Sequence, residues 1–151
     1  QTSDKTTILS DPRLVTFKNY LTEKQLYQET YVKIGNFSSE SGYSMMKELI
    51  ANLGDQLPTA FFMASDALAV GALRALQEAD IPVPDRVSLI AFNDTSIAKY
   101  VYPPLSTVTV FTEEMGRQGL QLLHEEFQHP GSTIPRMVTL ATKLTLRKSS
   151  L

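Results

Sequence analysis

One pattern recurs along this chain and constrains it more than any other: a short apolar run, a polar stop, then apolar residues at helical spacing. Thr59 to Ala64 stops at Ser65-Asp66, Val87 to Phe92 stops at Asn93-Asp94, and Ser106 to Phe111 stops at Thr112. A shorter instance, Tyr31 to Gly35, stops at Asn36-Phe37. The stops at 36, 65, 93 and 112 are separated by 29, 28 and 19 residues. Such gaps suit a helical crossover between parallel strands, which needs a dozen or more residues. Runs as continuously apolar as Thr59 to Ala64 predict strands covered on both faces. The expectation is an α/β fold with three layers (α/β/α) around a mainly parallel sheet.

The helices follow from the same reading. Leu14, Val15, Phe17, Leu21 and Leu26 mark a first helix over Asp11 to Leu26, with Pro12 suited to its first turn. Ser38, Ser39 and Glu40 favour the start of a second, which carries Tyr43, Met46, Leu49, Ile50 and Leu53. Leu68, Ala72, Leu73, Leu76 and Ala79 mark a third, in which Gly71 would allow close packing on the sheet. The segment Ile81-Pro82-Val83-Pro84-Asp85 cannot continue it. Gly116, Gly119, Leu120, Leu123 and Phe127 share a face of a last helix. Pro130 to Pro135 reads as a loop, and Met137 to Arg147 as one or two strands.

Composition removes several alternatives. In 151 residues, 42% hydrophobic and 20% charged fractions exclude disorder, collagen-like repeats and coiled coil. A net charge of −2 leaves no basic footprint for nucleic acid. With no cysteine there is no disulfide framework, thiolate chemistry or cysteine-based zinc site. Pro58, Ser65 and Asp66 break the longest apolar stretch, so no membrane span is expected. Gln1 is not an initiator Met and opens no signal peptide, so a segment upstream is expected.

In open α/β sheets ligands bind outside the carboxyl ends of the strands. Asn36, Phe37, Ser65, Asp66, Asn93, Asp94 and Thr112 all fall on that edge. Any one of the polar residues could be only a helix cap. Four polar stops and an aromatic on one edge point to a site. Amides, hydroxyls and carboxylates beside a phenyl ring suit a neutral polyhydroxylated ligand, whose apolar face can stack on Phe37. Phosphate and dinucleotide motifs are absent.

Enzyme readings are weak. Asp66 and Asp94 could pair as acid and base, but sequence does not show the split environments such a pair needs. His124 and His129 stand five apart in a segment that imitates H-E-x-x-H, which turns them to different helix faces. Gly42-Tyr43-Ser44-Met45-Met46 lacks the last glycine of a nucleophile elbow. The aromatic loop Tyr100-Val101-Tyr102-Pro103-Pro104 fits local packing or an interface equally.

Five stretches in order carry a family likeness: Asp11-Pro12-Arg13 through Phe17, Gly35-Asn36-Phe37 through Tyr43, Pro58 through Gly71 with Ala64-Ser65-Asp66 inside it, Val87 through Asp94, and Pro103 through Val108 with Met115-Gly116. Over Asp11 to Arg147 the chain resembles the effector-binding core of the LacI/GalR family of bacterial transcriptional regulators. Ser65 to Leu123 most resembles repressors of β-galactoside or galactose operons. The resemblance implies one lobe of a two-lobed, type I periplasmic-binding-protein-like core. Residues 1–10 would be a remnant of the crossover from an N-terminal lobe, and residues 11–151 the C-terminal lobe.

The resemblance also implies a non-enzymatic, cytoplasmic sensor that binds a small sugar, galactoside-like, in an interlobe cleft. It would act on operator DNA through an N-terminal headpiece, as a homodimer or higher assembly, with no cofactor, metal or membrane partner. Ligand contacts fall by resemblance on Arg13, Phe37, Ser65, Asn93 and Thr112. Asn36, Asp66 and Asp94 would serve either ligand or structure. The dimer interface would include Tyr43, Leu68, Tyr100, Val101 and Tyr102. Ser65 stands where many members have Asn, Asn93 where many have Asp, and Thr112 where the lac repressor has an aromatic. The alternative is the C-terminal lobe of an exported sugar-binding transport protein of the same fold.

Overall fold

A computed structural model describes residues 11–131 and 134–151, so residues 1–10 lie outside the described residues. The described elements are α1 (Pro12–Glu23), α2 (Ser39–Leu53), β1 (Ala60–Phe62), α3 (Asp66–Glu78), β2 (Ser88–Asn93), α4 (Ile97–Tyr100), β3 (Ser106–Thr109), α5 (Thr112–Gln128) and β4 (Lys143–Thr145). They build a four-stranded sheet in the order β1-β2-β3-β4. β1, β2 and β3 run parallel, with Ala60 opposite Ser88 and Ile90 opposite Ser106, and β4 joins β3 antiparallel. The expected α/β class and mainly parallel sheet are observed.

Local sequence accounts for the helix starts. Asp11 caps α1 by accepting from the Arg13 N–H, with Pro12 in the first turn. The Ser38 hydroxyl accepts from Ser41 N–H and begins α2, and the Ser65 hydroxyl accepts from Leu68 N–H and begins α3. α5 has no side-chain cap, but Glu113 and Glu114 sit in its first turn, where the helix dipole favours negative charge.

The core lies on one face of the sheet. Leu89 and Ala91 of β2 are fully buried with Met46 and Leu49 of α2, Ala72, Leu73 and Leu76 of α3, and Val87 and Leu105. α2 and α3 press together through two glycines. A Cβ at Gly42 would come 2.1 Å from the Leu68 carbonyl oxygen, and one at Gly71 would come 1.8 Å from that of Ser39. Gly71 therefore serves the contact with α2, not the expected contact with the sheet, because α2 lies directly over that turn of α3.

On the other face α1 stacks Phe17 on Phe62, with ring centroids 5.9 Å apart. This face is only partly covered among the described residues, and Phe62 is partly exposed. The expected strand at Tyr31 to Gly35 is absent: a 3₁₀ turn spans Glu29–Tyr31, and the backbone beyond it is extended but has no ladder partner among the described residues. A strand is defined by its neighbour, and none flanks this segment among the described residues. β3 ends at Thr109, short of Phe111: Val110 N–H donates the last rung of the β2–β3 ladder to the Asn93 carbonyl, and Thr112 N–H then turns back to that of Val110. The tail supplies one strand.

The segment after β4 enters the sheet at its amino end. Leu89 N–H donates to the Ser149 carbonyl (2.7 Å). The Ser149 hydroxyl donates to the Leu89 carbonyl (2.7 Å) and accepts from Ser106 N–H (2.8 Å). Ser149 thus fills the gap between β2 and β3 before their direct pairing begins. By contrast α5 buries no residue, and Leu120, Leu123 and Phe127 are exposed.

Candidate functional site

The carboxyl ends of β1 and β2 bring the first group of expected residues together. Arg13 leans from the first turn of α1, and its Nη1 donates to the Ala64 carbonyl (3.1 Å), one residue before Ser65. Its guanidinium carbon lies 5.0 Å from the Phe92 ring centroid and 5.8 Å from that of Phe37. Asp11 fixes this pose: its carboxylate accepts from Arg13 Nη2 at 2.7 Å and from Nε at 3.1 Å. The hydrogen bond to Arg13 holds the Asp11 carboxyl below its ordinary pKa and raises that of Arg13. The result is a cation sandwiched near two aromatic rings, with Phe37 exposed.

Phe92 is a member of this group that the sequence reading passed over. It precedes Asn93 in an apolar strand, so it reads as core. Its partly exposed ring, edge-on to Phe62 at 6.4 Å, instead forms the floor beneath Arg13. The alternation Leu89, Ala91 against Ile90, Phe92 was the available signal.

Asn93 ends β2 with φ 110°, and Asp94 follows with φ 60°. Both are left-handed conformations that side-chain-bearing residues seldom adopt. Asp94 does not face outward: its Oδ2 accepts from the Thr109 hydroxyl (2.8 Å) and its Oδ1 from Arg147 Nη2 (2.7 Å). Burial pushes the Asp94 carboxyl up, but the hydrogen bonds from Arg147 and Thr109 outweigh it and hold the pKa below its ordinary value.

Other expected residues are committed to structure. Asp66 is buried, accepting from Thr95 N–H (2.6 Å), the Thr95 hydroxyl (2.8 Å) and the Thr107 hydroxyl (2.8 Å). Ser65 is buried as the α3 cap, its hydroxyl oxygen accepting from Leu68 N–H (3.2 Å). Asn36 accepts from Ser38 N–H (3.3 Å) and the Ser38 hydroxyl (2.6 Å), shaping the turn that carries Phe37. Thr112 is exposed in the first turn of α5, three residues beyond Thr109. No contact joins it to Arg13 or Asn93 among the described residues. Asp66 and Asp94 each accept a hydrogen bond from a β3 threonine, Thr107 and Thr109 respectively.

Of the expected interface residues, Tyr100 and Tyr102 are 83% and 82% exposed. Tyr43 is partly buried. Leu68 differs from expectation: it is only 7% exposed, its backbone lies against Gly42, and it offers a partner little surface. Val101 turns inward onto the core. Among the described residues no cluster of acidic or histidine side chains could hold a metal ion, and no helix is long and apolar enough to cross a membrane.

Comparison with known proteins agrees with this fold. The sequence profile of the periplasmic binding protein-like domain matches residues 1–150. The transcriptional regulator GalR of Streptococcus thermophilus is 51% identical over 150 residues, covering 99% of this chain and 45% of its own. A solved complex of the transcriptional regulator CelR with cellobiose superposes with a TM-score of 0.81 at 33% identity, over 91% of this chain and 41% of that one. A LacI family regulator from Lactobacillus casei with bound sucrose gives 0.78 at 25% identity, over 91% and 50%. The chain spans less than half the length of the curated relatives it matches. By fold and by profile, the chain belongs to the periplasmic binding protein-like domain family, on the branch formed by LacI/GalR-type regulators.

Proposed function

We propose that this chain is the effector-sensing and dimerisation lobe of a transcriptional regulator, and that it binds a small galactoside-like sugar at the carboxyl edge of its sheet. The observation that carries the reading is Arg13, held over Phe92 and near Phe37 beside the end of β2. Guanidinium N–H groups bond sugar hydroxyls, and the phenyl rings take the apolar face of a pyranose. Cellobiose and sucrose in the compared structures support a sugar, and the resemblance of Ser65 to Leu123 to repressors of β-galactoside or galactose operons favours a galactoside.

The mechanism is a population shift. A sugar gripped by this lobe and by a second one favours one interlobe angle, and a DNA-binding headpiece reads that angle as altered operator affinity. The exposed apolar face of α5, Leu120, Leu123 and Phe127, is the surface assigned to the second lobe. Tyr43, Tyr100 and Tyr102 are assigned to a homodimer contact. The protein acts in the cytoplasm and turns over nothing.

The test is a thermal-shift panel of galactose, lactose, cellobiose and sucrose on the full-length protein, since a ligand that binds only the native state raises its unfolding temperature. Stabilisation by galactose or lactose, with a change in operator affinity, is expected. No stabilisation by any of the four overturns the reading.

A further inference from the structure

The carboxylate of Asp94 sits where three segments meet. Through Oδ1 it takes Arg147 Nη2, and through Oδ2 it takes the Thr109 hydroxyl. The same Thr109 hydroxyl lies 2.7 Å from that of Thr145 in β4. Arg147 is anchored further by Nη1 on the Leu105 carbonyl and by its backbone N–H on the Ser106 hydroxyl, both at 2.8 Å. The ion pair is nearly enclosed, with side-chain exposures of 16% for Arg147 and 10% for Asp94. Immediately before it stands Asn93, in a backbone conformation that is unfavourable unless its surroundings hold it. The Asn93 carbonyl accepts the last rung of the β2–β3 ladder from Val110 N–H (3.3 Å), so the peptide following Asn93 and the side chain of Asp94 are both held by the end of β3.

We propose that Asp94 and Arg147 form a positioning pair that fixes the backbone of Asn93 for sugar binding and ties that seat to the two segments leaving the sheet, β3 into α5 and β4 into Ser149. The pair touches no ligand. It acts by making one conformation of Asn93 the resting one, so the sugar meets a contact already in place. The inference rests on Asn93 as a ligand contact.

The experiment is a double-mutant cycle in the full-length protein, titrated calorimetrically with galactose, lactose, cellobiose and sucrose in turn. Asp94→Asn and Arg147→Met are made singly and in combination with Asn93→Ala, and thermal unfolding shows which variants fold. Each single change at the pair should weaken sugar binding about tenfold, the scale of coupling between neighbouring residues. In the Asn93→Ala background the same change should cost nothing further. If one pair variant does not fold, the other completes the cycle. Unchanged affinity in the folded pair variants, or a full additional loss on top of Asn93→Ala, overturns the positioning role while sugar binding by the wild type stands. No binding of any of the four sugars by the wild type overturns the functional reading and this one together.

Discussion

The Arg13 guanidinium gives Nε and Nη2 to Asp11 and Nη1 to the Ala64 carbonyl, which sets its charge against Phe37 and Phe92. Each Nη carries a second N–H, and a sugar hydroxyl is the acceptor assigned to it. Hydrogen bonds to charged groups contribute about 1.5–3 kcal/mol, so Arg13→Ala should weaken sugar binding of the full-length protein about 10–100-fold by calorimetry. Asp11→Ala, which frees the guanidinium without removing it, should cost less. Asp94 permits a prediction on pH. Its folded pKa is depressed, so its contribution to stability is complete above the unfolded value, about 3.9, and is lost as pH falls through the folded pKa. Asp94→Asn should unfold more easily near neutrality yet show a flatter fall in stability below about pH 4, read from urea unfolding at stepped pH. A steeper acid fall in the variant would contradict this. Arg13 and Phe37 were legible through motif resemblance. Phe92 was not, because an aromatic in an apolar strand looks the same whether it faces the core or a ligand.

Among the elements, α2 and α3 provide the sharpest contrast in what a single methyl group does. A Cβ at Gly71 meets the Ser39 carbonyl at 1.8 Å, whereas one at Gly116 of α5 meets nothing within 4 Å. Gly71→Ala should destabilise by at least about 1–3 kcal/mol through overpacking, and Gly116→Ala should stabilise by roughly 0.5–1 kcal/mol through helix propensity. Thermal unfolding of the two variants side by side checks both signs. Helix positions were legible because apolar spacing and the caps Asp11, Ser38 and Ser65 agree. The partner of each face was not. Gly71 read as a sheet contact and Tyr31 to Gly35 as a strand, since periodicity describes one element and says nothing of what lies beside it.

At the scale of the whole molecule, the two exposed tyrosines and the face of α5 that is uncovered among the described residues look outward. Large apolar side chains grouped on a surface mark contacts with other protein. On the proposed homodimer contact, Tyr100→Ala combined with Tyr102→Ala should move the full-length protein from dimer toward monomer in analytical ultracentrifugation, leaving the unfolding temperature of the core nearly unchanged. An unaltered dimer would remove this loop from the interface. Leu120→Glu in α5 should lower sugar affinity in the full-length protein by disturbing the second lobe. The α/β class was legible from three polar stops in register. The one-sided cover of the sheet was not, since apolar runs predict burial without naming what supplies it.

The Ser149 bonds to Leu89 cross 60 residues of chain. Until that loop closes, both backbone groups of Leu89, in an inner strand of the sheet, lack the partners that their burial demands. Closing long loops is what makes folding slow. During synthesis the helices can form as they emerge from the ribosome and β2 can pair with β3 from Ile90 onward, but the gap at Leu89 stays open until Ser149 has been made. A message that stops translation before Ser149 would therefore yield a sheet with Leu89 unpaired at the amino end of β2, and a target for proteolysis.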